Sequence, residues 1–252
     1  MKENTWNRKV ILTTTENQKD ALSHNNEGKE LLRNSEIKIL SMDDVAKFDD
    51  EFTILGGDRI APNMMLVLSP YNDKTYVKID EARAQLAVEK GLLTVRFCSL
   101  LGATSIKVID VKQTDLDKQT EISLEGSAKG VSPEVKAEIA KIEKIKNQIE
   151  VVATARGGKP KFEKAERLLK ENRLETDSFF KNLFNMVKDY EGEENRIGVL
   201  TKSVLLSHSM KDTLDIVGKV SFPVGYVKAG YKSSLKQKEQ IFMTLEVSFE
   251  SN

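Results

Sequence analysis

The chain reads as an α+β protein, an antiparallel β-sheet covered by helices on one face. The C-terminal run Ile241-Phe242-Met243-Thr244-Leu245-Glu246-Val247-Ser248-Phe249 alternates apolar with mostly wettable residues, the two-residue rhythm of a half-buried strand. Ala82, Leu86, Leu93, Phe97 and Leu100 recur near helical spacing. Turn chemistry joins neighbouring strand-like runs between 64 and 79 and again between 105 and 128, which favours antiparallel pairing.

In chain order, residues 1–35 are polar and weakly patterned and read as a mobile N-terminal segment, with a loop at Ser23-His24-Asn25-Asn26-Glu27-Gly28. Residues 36–252 read as one domain, with Gly157-Gly158 in the 156–160 break the best candidate boundary. Glu36–Leu40 is a short strand, and Ser41 caps a brief helix through Phe48, with Asp43 and Asp44 at its positive end. Met64–Leu68 and Thr75–Ile79 flank Ser69–Lys74, whose Pro, Asn and Asp predict a β-hairpin.

Asp80 opens a long helix to Leu101, and Gly102 ends it in the left-handed position. Gly91 within it costs about 1 kcal/mol relative to alanine. Ser105–Val111 and Glu121–Ala128 follow as paired strands. Ser132-Pro133 starts a helix, a capping hydroxyl before a proline at the first helical position, carrying Val135, Ile139, Ile142 and Ile149. Val151–Ala155 fits helix or strand.

Two helices come after Pro160. One carries Phe162, Ala165, Leu168 and Leu169. The other opens at Thr176-Asp177 and carries Phe180, Leu183, Phe184 and Val187. Ile216–Phe222 and Tyr226–Tyr231 are extended candidates before the final strand. Core expectations are Leu86, Leu93, Phe97, Leu100, Ile139, Ile142, Phe180, Leu183, Leu245, Val247 and Phe249.

Composition limits the function. Lys+Arg 39 against Asp+Glu 39 leaves no net charge, so the basic excess of a nucleic-acid binder is missing. Near-neutrality gives little protection against self-association. One cysteine excludes an intrachain disulfide. Cys98 lies in an apolar helical stretch and reads as a structural thiol. No apolar run approaches the roughly 18 residues of a membrane-spanning helix, and the N-terminus has no apolar signal core; the expected compartment is the cytoplasm.

Five features carry candidate chemistry. Arg156-Gly157-Gly158-Lys159-Pro160-Lys161 precedes a helix, where glycine amides and basic side chains suit a phosphate, although the spacing matches no phosphate-binding fingerprint. Leu55-Gly56-Gly57-Asp58-Arg59 is a second Gly-Gly loop, read as a turn. Asp43, Asp44, Asp49, Asp50 and Glu51 lack a calcium-loop pattern and read as a solvated face. His24 and His208 supply a thin ligand set for zinc; His208 beside Ser207 and Ser209 has no nucleophile elbow around it.

The fifth feature is the set of amphipathic strands after residue 104, the final one carrying Ile241, Met243, Leu245, Val247 and Phe249 on one side. It suits an ordinary sheet, an assembly surface, or a membrane-inserting strand. No catalytic residue, metal site or cofactor is expected. The leading expectation is a non-catalytic cytoplasmic interaction or assembly protein, self-associating as a homo-oligomer through sheet edges. A membrane-acting effector using the amphipathic strands is the first alternative. A phosphate- or nucleotide-binding protein using Arg156–Lys161 is the second.

Overall fold

A computed structural model describes residues 8–57, 59–115, 120–123, 132–150, 157–190, 198–207, 216 and 239–249. The protein is mixed α and β, with two sheets. It divides into two compact units, 1–85 with 209–237 and 86–208 with 238–252. The division falls within the long helix and away from Gly157-Gly158.

In the first unit, strand β1 (Val10–Thr14), helices α1 (Glu16–Ser23) and α2 (Asn26–Arg33) and strand β2 (Ile37–Ser41) form a β-α-α-β crossover, with β1 and β2 parallel. Residues 10–33 are therefore a strand and two helices where the sequence suggests a mobile segment. The helix starts follow from the side chains. Thr15 accepts from the Gln18 amide while the Gln18 side chain accepts from the Thr15 amide, a reciprocal cap. Asn25 accepts from the Gly28 amide at 2.6 Å, which starts α2.

After a 3-10 turn at Met42–Asp44 come α3 (Val45–Glu51), β3 (Thr53–Ile54), β4 (Met65–Leu68) and β5 (Thr75–Lys78). The sheet order is β2-β1-β4-β5-β3. β4 and β5 form the expected antiparallel hairpin, but β3 pairs with β5 in parallel, so this sheet is mixed and not wholly antiparallel. Ile11, Leu40, Phe48, Phe52, Leu66 and Tyr76 pack as its core. Phe48 and Phe52 stack at 4.8 Å, and each meets the Tyr76 ring at 5.4 Å, distances at which aromatic pairs add to simple burial.

Helix α4 (Ala82–Leu100) spans the division between the units. Its end is a paired hydrogen-bond closure: Gly102 N–H donates to the Ser99 carbonyl and Ala103 N–H to that of Cys98, both at 3.1 Å. Gly102 has φ +89°, the left-handed turn that such an ending needs.

In the second unit, β6 (Ser105–Asp115), β7 (Thr120–Ser123), α5 (Pro133–Glu150), α6 (Phe162–Glu171), α7 (Ser178–Asp189), β8 (Val199–Leu205) and β9 (Glu239–Ser248) follow. The sheet is fully antiparallel in the order β7-β6-β9-β8. α5 lies against β6 and β7, and its Ile142, Ile145 and Ile149 are buried. Gly91 of α4 sits directly on the Ile149 side chain, where a β-carbon would collide. That contact is what the helical glycine provides in return for its propensity cost.

α7 starts at Asp177, whose Oδ1 accepts from the Phe179 amide at 3.0 Å. Its Oδ2 accepts from Lys90 Nζ of α4 at 2.6 Å. Among the core expectations, Leu86, Phe97, Ile142, Phe180, Leu183, Leu245 and Val247 are buried, while Leu93, Leu100, Ile139 and Phe249 are half-buried. The extended candidates after Ile216, the run Val151–Ala155 and the end of the Glu121–Ala128 run lie outside the described residues.

Candidate functional site

The Gly157-Gly158 loop closes on its own unit. Gly157 N–H donates to the Ala103 carbonyl at 3.0 Å and Lys161 N–H to that of Leu100 at 2.7 Å. Pro160 has no N–H to offer. Two of the amides that would cradle an anion are thus engaged with the chain leaving α4. Lys159 is exposed, and Arg156 lies outside the described residues. Gly56 and Gly57 form a turn, with Gly57 N–H donating to the Ile54 carbonyl at 3.3 Å.

The acidic group is spread over an exposed surface. Asp43, Asp49, Asp50 and Glu51 are exposed. At Asp44, burial opposes ionisation, but the Ser41 hydroxyl and the Lys19 and Lys47 ammonium groups outweigh it and hold the carboxyl below the ordinary aspartate value. No group of His, Cys, Asp and Glu fit to hold a metal occurs among the described residues. His24 is exposed at the end of α1, and His208 lies outside the described residues. Cys98 is fully buried, and burial pushes its thiol up to about 12. A thiol so shifted has almost no thiolate at neutral pH and is no nucleophile.

The carboxyl ends of β1 and β2 carry a polar cluster that the sequence reading missed. Thr13, Thr14 and Ser41 are fully buried. Thr13 Oγ1 donates to the Ala61 carbonyl and accepts from the Met64 amide at 2.8 Å. Thr14 Oγ1 donates to Gln18 Oε1 at 3.0 Å, Gln18 Nε2 donates to Asn63 Oδ1 at 3.1 Å, and Ser41 Oγ donates to Asp44 Oδ2 at 3.1 Å. The strand ends in an open sheet are a common ligand position, but here the donors and acceptors satisfy one another and tie loops to strands.

The final strand does not stand at an edge. β9 is paired along one side to β6, from Ser105↔Ser248 to Asp115↔Glu239, and along the other to β8, from Val199↔Ser248 to Leu205↔Phe242. Ile241, Met243, Leu245 and Val247 are at most 2% exposed. Strand β9 therefore has no free backbone edge in this fold, and its neighbour on the outer side is β8.

That neighbour, β8, is the outer strand of the second sheet among the described residues. It is longer than the sheets' other terminal strands β2, β3 and β7. Two bonds fix which of its backbone groups face outward. Leu206 N–H donates to the Ile241 carbonyl at 2.8 Å, and Phe249 N–H donates to the Gly198 carbonyl at 2.9 Å. Hydrogen-bonded pairs alternate along an antiparallel ladder, and the register between these ends is unbroken. Leu200, Lys202 and Val204 therefore bond toward β9, while Val199, Thr201, Ser203 and Leu205 turn their N–H and C=O groups outward. Among the described residues no partner meets those outward groups.

The side chains agree with an open edge. Val199 is 58% and Leu205 38% exposed, and Thr201, Lys202 and Ser203 are exposed as well. Lys202 lies opposite Leu245, on the face of the sheet that Leu245 buries. An inward-facing lysine on an edge strand is a known device against indiscriminate pairing. Sequence alone carries one signal of this site, the run Val199-Leu200-Thr201-Lys202-Ser203-Val204-Leu205. It reads nearly the same in chemical type from either end: aliphatic, aliphatic, hydroxyl, lysine, hydroxyl, aliphatic, aliphatic.

Comparison with protein-family models, with curated proteins and with solved structures gives no match. No helix among the described residues is long and apolar enough to cross a membrane.

Proposed function

We propose that the protein is a non-catalytic interaction and assembly protein that self-associates by pairing strand β8 with β8 of a second copy. The observation that carries this reading is the chemical palindrome of β8 combined with the parity of its outward groups. A two-fold antiparallel pair centred on Lys202 places Val199 opposite Leu205 and Thr201 opposite Ser203 of the second copy. All four outward-facing positions then bond together. Leu200 meets Val204 on the other face. Such an isologous contact closes on itself and joins the two four-stranded sheets into one by strand addition. The exposed aliphatic ends and the absence of net charge favour association.

The bilayer reading has strands of the needed length, since β6 has 11 residues and β9 has 10 against roughly 9–11 for a spanning strand. It requires the apolar side of β9 to leave a core in which it is already buried. Edge pairing uses the folded strands as they stand.

Thr201→Pro tests it. Proline removes an outward N–H and leaves the ladder to β9 intact. Light scattering after size exclusion should give a concentration-dependent dimer for the natural chain and a monomer for Thr201→Pro, with the unfolding midpoint little changed. A dimer of equal strength in Thr201→Pro would contradict the proposal.

A further inference from the structure

We infer that Lys202 is an electrostatic brake on this pairing, setting its affinity and its response to salt. The inference rests on the self-pairing proposed above. Lys202 occupies the centre of the palindrome, so the two-fold register that bonds every outward group also sets Lys202 directly against Lys202 of the second copy. Directly opposed residues of the non-hydrogen-bonded type stand with their Cα atoms only about 4.5 Å apart, and like charges placed so are destabilising. Every other position in the palindrome meets its own chemical type. Shifting the register by one pair would relieve the charge but leave outward groups at one end of each strand unpaired.

Among the described residues, nothing neutralises the ammonium group. Lys202 makes no ion pair among the described residues, and the residue facing it on β9 is Leu245. The charge is exposed, so it remains open to screening by salt. Association should therefore strengthen as ionic strength rises, the reverse of an interface held by opposite charges. A strand carrying a carboxylate at the central position would pair more tightly than the protein pairs with itself.

Sedimentation equilibrium on the full chain tests this with four samples: the natural protein, Lys202→Thr, Lys202→Glu, and an equimolar mixture of the natural protein with Lys202→Glu. Lys202→Thr should dimerise about fivefold more tightly at low salt, the fold-change expected for removing an exposed like-charge pair, and the gain should shrink at high salt. Lys202→Glu alone should stay weak, and the mixture should form a heterodimer tighter than either homodimer. The brake is overturned if Lys202→Thr associates no more tightly than the natural chain, or if the mixture gains nothing. With Thr201→Pro monomeric, either result leaves the edge pairing standing and removes only the role of Lys202. If Thr201→Pro dimerises like the natural chain, or no sample associates, the pairing itself fails and the brake with it.

Discussion

Asp177→Ala is expected to lower the unfolding free energy by about 3 kcal/mol. Two losses combine. The first is the cap: Oδ1 holds the Phe179 amide at 3.0 Å at the start of α7, and removing such a cap typically costs about 1 kcal/mol. The second is the partner of Lys90. Its ammonium lies 2.6 Å from Oδ2, with the lysine side chain only 8% exposed and that of Asp177 23% exposed. Deleting one member of a buried pair strands the other charge. Because solvent reaches Asp177, the second loss is set near 2 kcal/mol, below the fully buried range.

Asp177→Asn separates the two, since its amide oxygen can still cap α7 while the charge is gone. Replacing both partners, with Lys90→Met and Asp177→Asn together, should cost less than Asp177→Ala alone, because no buried charge is then left unpaired. Urea unfolding of the four proteins measures this. Equal stability of Asp177→Ala and the natural chain would mean that the Lys90 pair does not hold α4 to α7.

Gly102→Ala is the second large effect, expected at about 2–3 kcal/mol. A side chain at φ +89° is strained in itself, and the new β-carbon would stand 2.5 Å from the Gly158 carbonyl oxygen. That oxygen belongs to the loop whose Gly157 and Lys161 amides bond to Ala103 and Leu100, so the loop must move and its bonds to the end of α4 weaken. Thermal unfolding should register the loss, whereas Gly57→Ala, with φ +71° but no atom within 4 Å of the added carbon, should cost only the conformational strain. Equal effects at the two glycines would remove the close packing of the Gly157-Gly158 loop as the cause. The loop that the sequence offers as a phosphate cradle is in this sense a fastening between α4 and α6.

Where an element carries its own pattern, the sequence reveals it. The alternation of β9 is visible because Ile241, Met243, Leu245 and Val247 on one face are buried while the residues between them are half-buried and mostly polar. The Ser132-Pro133 and Asp177 starts are visible because helix caps are local chemistry. Strand β1 escaped because Val10-Ile11-Leu12 is buried on both faces. It lies between β2 and β4, and a strand so placed has no alternation to read. The caps of α1 and α2, at Thr15 with Gln18 and at Asn25, were legible in principle but sat in a segment whose polarity suggested a loop.

The candidate site escaped for a different reason. Strand β8 has four aliphatic residues, but they stand in pairs at its two ends and set no two-residue rhythm, and whether a strand lies at an edge is decided by its neighbours. The final strand has the stronger amphipathic pattern because it is central. The parity that turns Val199, Thr201, Ser203 and Leu205 outward exists only once β9 is docked against the other side.

Amide hydrogen exchange along β8, followed by NMR at several protein concentrations, tests the central claim most directly. The edge-pairing account predicts that the Leu200, Lys202 and Val204 amides are protected at every concentration. The Val199, Thr201, Ser203 and Leu205 amides should exchange fast when the protein is dilute and slow down as concentration rises. Outward amides that exchange at the same rate across the whole range would contradict it, whether they are protected throughout or open throughout.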